Sequence, residues 1–203
     1  KEMIDQAKKA GCDCVKFQSW SAKSLYSKSY YDENPIAKRF VKKFAFSEAE
    51  LIEVYEYSKK SGIAFSSTPY SRVEVDFLLE KCNVPYIKVA SMDLNNYPYL
   101  DYIARSGAPI VLSTGMGELE EIHKAVETIE KAGNKNICLL HCISIYPSET
   151  STIQLKNISG LIDSLVSNDA NIDWLIVETE KFCKDKAVYN AIMESIHIID
   201  GKS

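Results

Sequence analysis

Three features are scarce or missing in this sequence: a glycine-rich phosphate loop, a run of basic residues and an apolar run of membrane-spanning length. Glycine accounts for only 8 of 203 residues, and neither a G-x-G-x-x-G nor a Walker sequence is present. Gly115-Met116-Gly117 is a lone G-x-G, which is a weak signal. The most apolar stretches, such as 137–142, are far shorter than the roughly 20 residues that a membrane-spanning helix requires. These absences argue against a dinucleotide-binding fold and against a membrane protein.

Neither sign of charge dominates the chain. Lys and Arg number 24 and Asp and Glu number 28, which gives a formal net charge of -4 at pH 7. Because no basic cluster marks a nucleic-acid surface, we expect neither nucleic acid nor a membrane as a partner. The chain opens with Lys1-Glu2-Met3-Ile4-Asp5, which is unlike a signal sequence, so we expect a cytoplasmic protein.

Zinc-ligand patterns are also missing. The chain has three histidines, and no two of them have a spacing that predicts a shared metal: His123, His141 and His197. Cys12-x-Cys14 and Cys138-x-x-x-Cys142 lack a partner pair at zinc-ligand spacing. With 46% hydrophobic residues the chain has ample core, so its six cysteines are interpreted as free thiols rather than disulfides. We assign no residue as a metal ligand.

Strand and helix signals alternate along the first 142 residues. The pattern predicts strands at 13–18, 63–67, 85–90, 109–113 and 136–142. It predicts helices at 3–10, 47–60, 72–81, 97–106 and 118–132, with a long polar, tyrosine-rich loop before residue 47. Apolar strands separated by helices are typical of a parallel sheet that is covered on both faces. With no glycine-rich loop for an open doubly wound sheet, we favour an α/β fold, a TIM (β/α)8 barrel.

The barrel is expected to be incomplete. A TIM barrel typically needs about 250 residues, whereas this chain has 203. The tail after residue 166 adds two strand signals, at 171–177 and 196–199, and a helix signal at 185–194. We treat 1–203 as one domain.

Polar side chains lie where the expected strands end. Lys16 and Gln18 are two residues apart, so they point to the same side of the strand, which in a barrel is the lumen. Lys88 is a solitary lysine in the apolar run 85–90, and a desolvated ammonium usually meets an anion. Because TIM-barrel active sites lie at the carboxyl ends of the strands, the chain is interpreted as an enzyme domain.

Hydroxyl groups recur at the same strand ends. They lie in Ser66-Ser67-Thr68, at Ser91 and in Ser113-Thr114, and Asp93 is two residues beyond Ser91 if the strand continues. Two lysines among hydroxyls would suit a phosphate. Two other interpretations stay open: each hydroxyl alone is as readily a helix cap, and Lys16 could pair with a core carboxylate.

Five motifs, in order and spacing, resemble those of the sialic acid synthase family. They are Ala10-Gly11-Cys12-Asp13-Cys14-Val15-Lys16-Phe17-Gln18, Ser67-Thr68-Pro69-Tyr70-Ser71, Tyr86-Ile87-Lys88-Val89-Ala90-Ser91, Leu112-Ser113-Thr114-Gly115-Met116 and Leu140-His141-Cys142-Ile143-Ser144-Ile145-Tyr146-Pro147. The resemblance covers about 1–165, whereas 166–203 diverges. It implies a TIM barrel that condenses phosphoenolpyruvate with an N-acyl mannosamine or a related aldose to a nonulosonic acid, with release of phosphate.

The resemblance also assigns site residues. Positions that hold the phosphate and carboxylate of phosphoenolpyruvate are occupied here by Lys16, Thr68, Lys88 and Ser91. Positions that line the sugar pocket are occupied by Gln18, Asp93 and Tyr146. Ser113 and Ser144 add hydroxyls to the anion pocket, and we assign Lys88 and Asp93 to catalysis. The family usually has glutamate where Asp93 stands, and many members have asparagine where Ser144 stands.

Several family features are not evident in the chain. These are the first strand with its catalytic glutamate, the two histidine motifs that bind the metal, and the C-terminal antifreeze-like domain. The family leads us to expect a divalent metal, manganese or magnesium, and a homodimer, but we identify no metal ligands here. Two alternatives are a non-catalytic relative that keeps the anion pocket and a Schiff-base aldolase that uses Lys88.

Overall fold

Parallel strands and helices follow one another through the computed structural model, which describes residues 1–145 and Ser148. These residues lie within the unit Lys1–Gln154. The strands in this part of the chain are β1 (Cys14–Ser19), β2 (Ala64–Pro69), β3 (Ile87–Val89), β4 (Ile110–Ser113) and β5 (Ile137–Leu140). The helices are α1 (Glu2–Lys9), α2 (Lys28–Glu33), α3 (Pro35–Phe44), α4 (Glu48–Lys60), α5 (Arg72–Lys81), α6 (Tyr97–Arg105) and α7 (Leu119–Lys131). Each predicted strand and helix before residue 142 is therefore confirmed, with small shifts at the ends.

The strand pairs among residues 1–145 are all parallel. β1 pairs with β2, and β3, β4 and β5 form a second ladder in that order. The Ser66 hydroxyl of β2 donates to the Tyr86 carbonyl just before β3, at 3.1 Å, and so links the two ladders. Strands that neighbour one another in chain order, with helices between them, are the repeat of an α/β fold. The α/β fold is thus confirmed, while the TIM barrel, expected to be incomplete in this chain, and the single domain over 1–203 stay predictions.

Side chains alternate along β1 as the sequence predicts. Val15 is buried in a core cluster with Ile4 of α1, and Phe17 packs against the same cluster. Lys16 and Gln18 point to the opposite side of the strand and are exposed. The apolar side of β1 therefore faces the helices, and its polar side is left for a ligand.

Helix α4 begins where the sequence places it because of a capping box. The Ser47 backbone N–H donates to the Glu50 carboxylate at 2.8 Å, and the Glu50 backbone N–H donates to the Ser47 hydroxyl at 3.3 Å. The Ser47 backbone N–H and the Ser47 hydroxyl, which also donates to the Glu50 carboxylate at 2.7 Å, stabilise the charged form and lower the pKa of Glu50. The local signal alone therefore fixes this helix end.

The prediction of a long loop before residue 47 is wrong, because the segment contains α2 and α3. Ser27 caps α2 by accepting a hydrogen bond from the Tyr30 backbone N–H at 3.2 Å. Pro35 opens α3 at a position that needs no N–H donor. Helix α3 does show a helical period that the loop prediction overlooked, with an apolar residue at every fourth position: Ile36, Phe40 and Phe44.

The apolar length of each helix can be compared with the thickness of a bilayer. Within the described residues, no helix is long and apolar enough to span a membrane.

Candidate active site

Lys88 is the buried cation of the site. It lies in β3, with 8% of its surface exposed, and its ammonium donates to the Ser113 hydroxyl and the Val89 carbonyl, at 2.6 Å each. No carboxylate in the described part of the chain lies within ion-pair distance of Lys88. Desolvation by burial lowers the pKa of Lys88 to about 8. The predicted desolvated lysine is confirmed, and its charge lacks a compensating anion among these residues.

Lys16 adds a second cation close to the first. Its ammonium donates to the buried Thr68 hydroxyl at 3.4 Å. Lys16 is exposed as a residue, yet nearby protein atoms desolvate its ammonium and lower its pKa. The positive charge of Lys16 also contributes to the lowered pKa of Lys88. Two close cations without carboxylates are an arrangement that a dianion would stabilise.

Ser113 is oriented by two donors. Besides the ammonium of Lys88, the Cys142 thiol donates to its hydroxyl oxygen, at 3.3 Å. Because both lone pairs of that oxygen are engaged, the hydroxyl hydrogen is free to donate outward. Cys142 was missed as a site residue because a cysteine beside an apolar strand suggests core packing.

Ser91 and Ser144 meet at the backbone of Gly115. The Gly115 N–H donates to the Ser91 hydroxyl at 3.1 Å, and the Ser144 hydroxyl donates to the Gly115 carbonyl at 2.8 Å. A Cβ atom at Gly115 would lie 2.9 Å from both the Cβ and the carbonyl oxygen of Cys142, so only glycine fits there without a shift. This close approach between Gly115 and Cys142 is not predictable from the motifs alone.

The strand does not continue through Ser91 and Asp93. A short 3₁₀ helix, Ser91–Asp93, replaces it, because the Asp93 N–H bonds the Ala90 carbonyl at 3.0 Å and the Leu94 N–H bonds the Ser91 carbonyl at 3.2 Å. The condition under which Ser91 and Asp93 would share one side of an extended strand is therefore not met. The turn leaves the Ser91 hydroxyl at Gly115 and carries Asp93 toward a different group of side chains.

Asp93 is half-buried, and its carboxylate has few hydrogen-bond partners among the described residues. One of its oxygens, Oδ2, is buried without a hydrogen-bond partner among the described residues, and Oδ1 accepts only a long bond from the Asn96 amide, at 3.4 Å. Desolvation raises the pKa of Asp93. Its charge also helps to raise the pKa of Tyr70, which places these two residues in one electrostatic environment.

Gln18 and Tyr70 form the polar pair beside Asp93. The Gln18 amide donates to the Tyr70 hydroxyl at 3.1 Å. Tyr70 follows β2 directly and is half-buried, and its ring meets the edge of Trp20 with the centroids 6.0 Å apart. Tyr70 lies within one of the five family-like motifs, but the sequence alone indicates no role for it in binding or catalysis. Tyr146, the remaining predicted site residue, lies outside the described residues.

The described residues do not offer a ligand set for a metal ion. Residues 1–145 and Ser148 contain no group of three His, Cys, Asp or Glu side chains that could hold one. The divalent metal therefore stays an expectation, and no step below is assigned to it.

The NeuB family model matches residues 3–167. The chain belongs to the NeuB family. The predicted resemblance to sialic acid synthases is thereby confirmed.

Curated NeuB-type relatives cover most of this chain. An uncharacterized protein of Methanocaldococcus jannaschii is 43% identical over 79% of this chain and 46% of its own length. The N,N'-diacetyllegionaminic acid synthase of Campylobacter jejuni is 37% identical over 81% of this chain and 52% of its own length. The human N-acetylneuraminate-9-phosphate synthase is 35% identical over 78% of this chain and 46% of its own length. The chain thus spans about half the length of the curated relatives it matches.

Solved structures agree with the family. A sialic acid synthetase from Leptospira borgpetersenii, in complex with citrate, has a TM-score of 0.71 and 32% identity and covers 80% of this chain and 55% of its own. A phospho-2-dehydro-3-deoxyheptonate aldolase from Thermotoga maritima has a TM-score of 0.58 at 16% identity, covering 79% of this chain and 42% of its own. The second likeness shows a shared fold alone.

The affinity of the site for an added anion, with phosphoenolpyruvate as the probe, is expected to fall as the pH rises through about 8, the pKa of Lys88 in the free protein. An anion prefers the charged ammonium, so the dissociation constant should grow about tenfold between pH 7.5 and pH 9.5. Titration calorimetry across this range measures it. The Lys88→Met variant should bind weakly with a much flatter pH profile, and an equally steep profile in that variant would assign the titration to another group.

Proposed function

We propose that the protein containing this chain condenses phosphoenolpyruvate with an N-acyl mannosamine or a related aldose, forms a nonulosonic acid and releases phosphate. The observation that carries the proposal is Lys88, a buried ammonium that donates to the Ser113 hydroxyl, is influenced by the charge of Lys16, and pairs with no carboxylate among the described residues. A phosphorylated carboxylic acid would supply the missing negative charge. Membership of the NeuB family supports this reaction class.

The anion end of the site would hold phosphoenolpyruvate. Lys16 and Lys88 supply charge, while Ser113 has a hydroxyl hydrogen free for a phosphate or carboxylate oxygen. Thr68, which accepts from Lys16, and Ser91, which accepts from the Gly115 N–H, would add hydroxyl groups, and Ser144 would help to hold the Gly115 backbone. Fixed donors of this kind stabilise an anion without further reorganisation.

Carbon–carbon bond formation would follow from holding the two substrates together. C3 of phosphoenolpyruvate attacks the aldehyde carbon of the open-chain aldose, whose oxygen becomes an alkoxide and takes up a proton. Water then adds at C2, the bond between C2 and the phosphate oxygen breaks, and phosphate leaves. We assign Asp93 to the proton at the aldehyde oxygen, because its raised pKa allows it to hold one nearer neutral pH than an ordinary carboxylate.

The rest of the proposal concerns the whole protein. It would have the complete (β/α)8 barrel, act as a homodimer in the cytoplasm and use manganese or magnesium. Tyr146 would line the sugar pocket. These features are expectations from the family resemblance.

The decisive experiment measures phosphate release from phosphoenolpyruvate by the full-length gene product. The assay contains manganese or magnesium and a panel of N-acyl mannosamines and related aldoses, with Lys88→Ala as the control. Release that requires an aldose and is lost in the control supports the synthase and identifies its substrate. A folded protein that binds phosphoenolpyruvate without any release would instead be a non-catalytic relative.

A Schiff-base aldolase is the second candidate, because the lowered pKa of Lys88 makes a neutral, nucleophilic amine more accessible near pH 8. Borohydride in the presence of pyruvate would then fix a pyruvyl adduct on Lys88, seen as a mass increase of the peptide that contains it. The synthase predicts no such adduct.

A further inference from the structure

Two neighbouring strands carry matching diagonal pairs of side chains. In the parallel register of β1 and β2, Lys16 lies opposite Ser66 and Gln18 opposite Thr68. The side chains, however, bond partners two residues further along the chain: Lys16 donates to Thr68 of β2, and Gln18 donates to Tyr70, which follows β2 directly. Such diagonal neighbours lie within reach on one face of a sheet. The two pairs therefore follow each other along the strand direction on the same polar face.

The two pairs differ in charge. Lys16 and Thr68 lie at the cationic end, near Lys88, whereas Gln18 and Tyr70 carry no formal charge. A ligand with an anionic end and a neutral hydroxylated end would match this order. Under the proposed function, the neutral end is the aldose.

Tyr70 has a proton to donate. Its hydroxyl oxygen accepts from the Gln18 amide, and it makes no other hydrogen bond within the described part of the chain. The O–H is therefore fixed in place and available for an acceptor on a ligand. Desolvation, with the nearby Asp93 charge, raises the pKa of Tyr70, so the donor keeps its proton through the working pH range.

An aromatic corner stands behind this donor. The Tyr70 ring meets the edge of Trp20, and the Trp20 indole N–H donates to the Val41 carbonyl of α3 at 3.4 Å. Both rings are half-buried, and α3 helps to hold the indole in place. An apolar face beside a polar tip suits a sugar, which presents both C–H and O–H groups.

We propose that Tyr70 is a sugar-binding residue whose hydroxyl, held by Gln18, donates to an oxygen of the aldose, with Trp20 as the apolar wall. This inference rests on the proposed function, since it takes the second substrate to be an aldose. It adds a residue and a direction to the site: the aldose would lie beyond the anion, toward the end of β2.

The test compares two tyrosine variants of the full-length protein. Tyr70→Phe should raise the KM for the aldose about fivefold to tenfold, the size expected for one neutral hydrogen bond, and leave the KM for phosphoenolpyruvate within twofold. Tyr102→Phe is the matched control: its hydroxyl donates to the Asp76 carboxylate of α5 at 2.7 Å, so its loss should leave the KM for the aldose unchanged. Unchanged aldose KM in Tyr70→Phe, or equal changes for both substrates, would overturn the proposal.

A binding measurement separates this inference from the reaction itself. The probe is N-acetylmannosaminitol, the unreactive alditol of N-acetylmannosamine, titrated in the presence of phosphoenolpyruvate and followed by calorimetry. Binding that weakens about fivefold or more in Tyr70→Phe but not in Tyr102→Phe supports the Tyr70 contact, even if the wild-type protein releases no phosphate. Absence of alditol binding to the wild-type protein, or equal binding to all three proteins, counts against Tyr70.

Discussion

Replacing Lys88 with methionine is expected to weaken binding of phosphoenolpyruvate about a hundredfold or more, a loss of about 3 kcal/mol. The change keeps an unbranched side chain of similar length in β3 but removes the one charge that is buried there. The anion would then meet only the exposed Lys16 and neutral hydroxyls. Titration calorimetry at pH 7, below the pKa of Lys88, gives the dissociation constant directly.

Lys131→Met is the matched control for this result. Lys131 lies at the end of α7, where it is 71% exposed and pairs with Glu127 at 2.6 Å. The same substitution there should leave the affinity within twofold, since exposed pairs contribute little. If Lys88→Met folds normally and keeps the affinity within threefold, the anion does not bind at Lys88, and the proposed site is wrong.

Replacing Leu112 with alanine is expected to lower the free energy of unfolding by about 3 kcal/mol, within the range found for buried leucines. Leu112 is 0% exposed in β4, between Val89 of β3 and Leu139 of β5 in the register of the ladder. Its loss would leave a cavity next to Ser113, which follows it in β4 and accepts a hydrogen bond from Lys88. Urea unfolding followed by circular dichroism measures the change.

Leu119→Ala removes the same atoms from a different environment. Leu119 is 51% exposed at the start of α7, so this substitution should change the free energy of unfolding by less than about 0.5 kcal/mol. Equal losses in the two variants would show that β4 does not form the core described above.

Local signals explain the elements that the sequence predicted well. The Ser47 capping box marks the start of α4, and the lone Lys88 in an apolar run predicts a buried cation without knowledge of its neighbours. Such features depend on a few consecutive residues. The order of the strands and the central residue of the candidate site, Lys88, could therefore be predicted from the sequence.

Features that depend on distant contacts were missed. Ser91 accepts a hydrogen bond from the Gly115 N–H, 24 residues away in the sequence. The role that we propose for Tyr70 depends on a hydrogen bond from Gln18, 52 residues away. No single segment contains these relations, because they arise when strands are brought side by side.

The uncompensated ammonium of Lys88 also bears on folding itself. Its pKa is about 8 in the folded protein and close to 10.5 when the chain is unfolded, so between these values the unfolded state binds more protons. The contribution of Lys88 therefore opposes folding below pH 8 and fades as the pH rises toward 10.5. A bound anion would remove this penalty at neutral pH, because it stabilises the charged form. The residue that we assign to substrate binding thus makes the empty protein less stable than the loaded one, which couples the lifetime of the fold to the supply of its ligand.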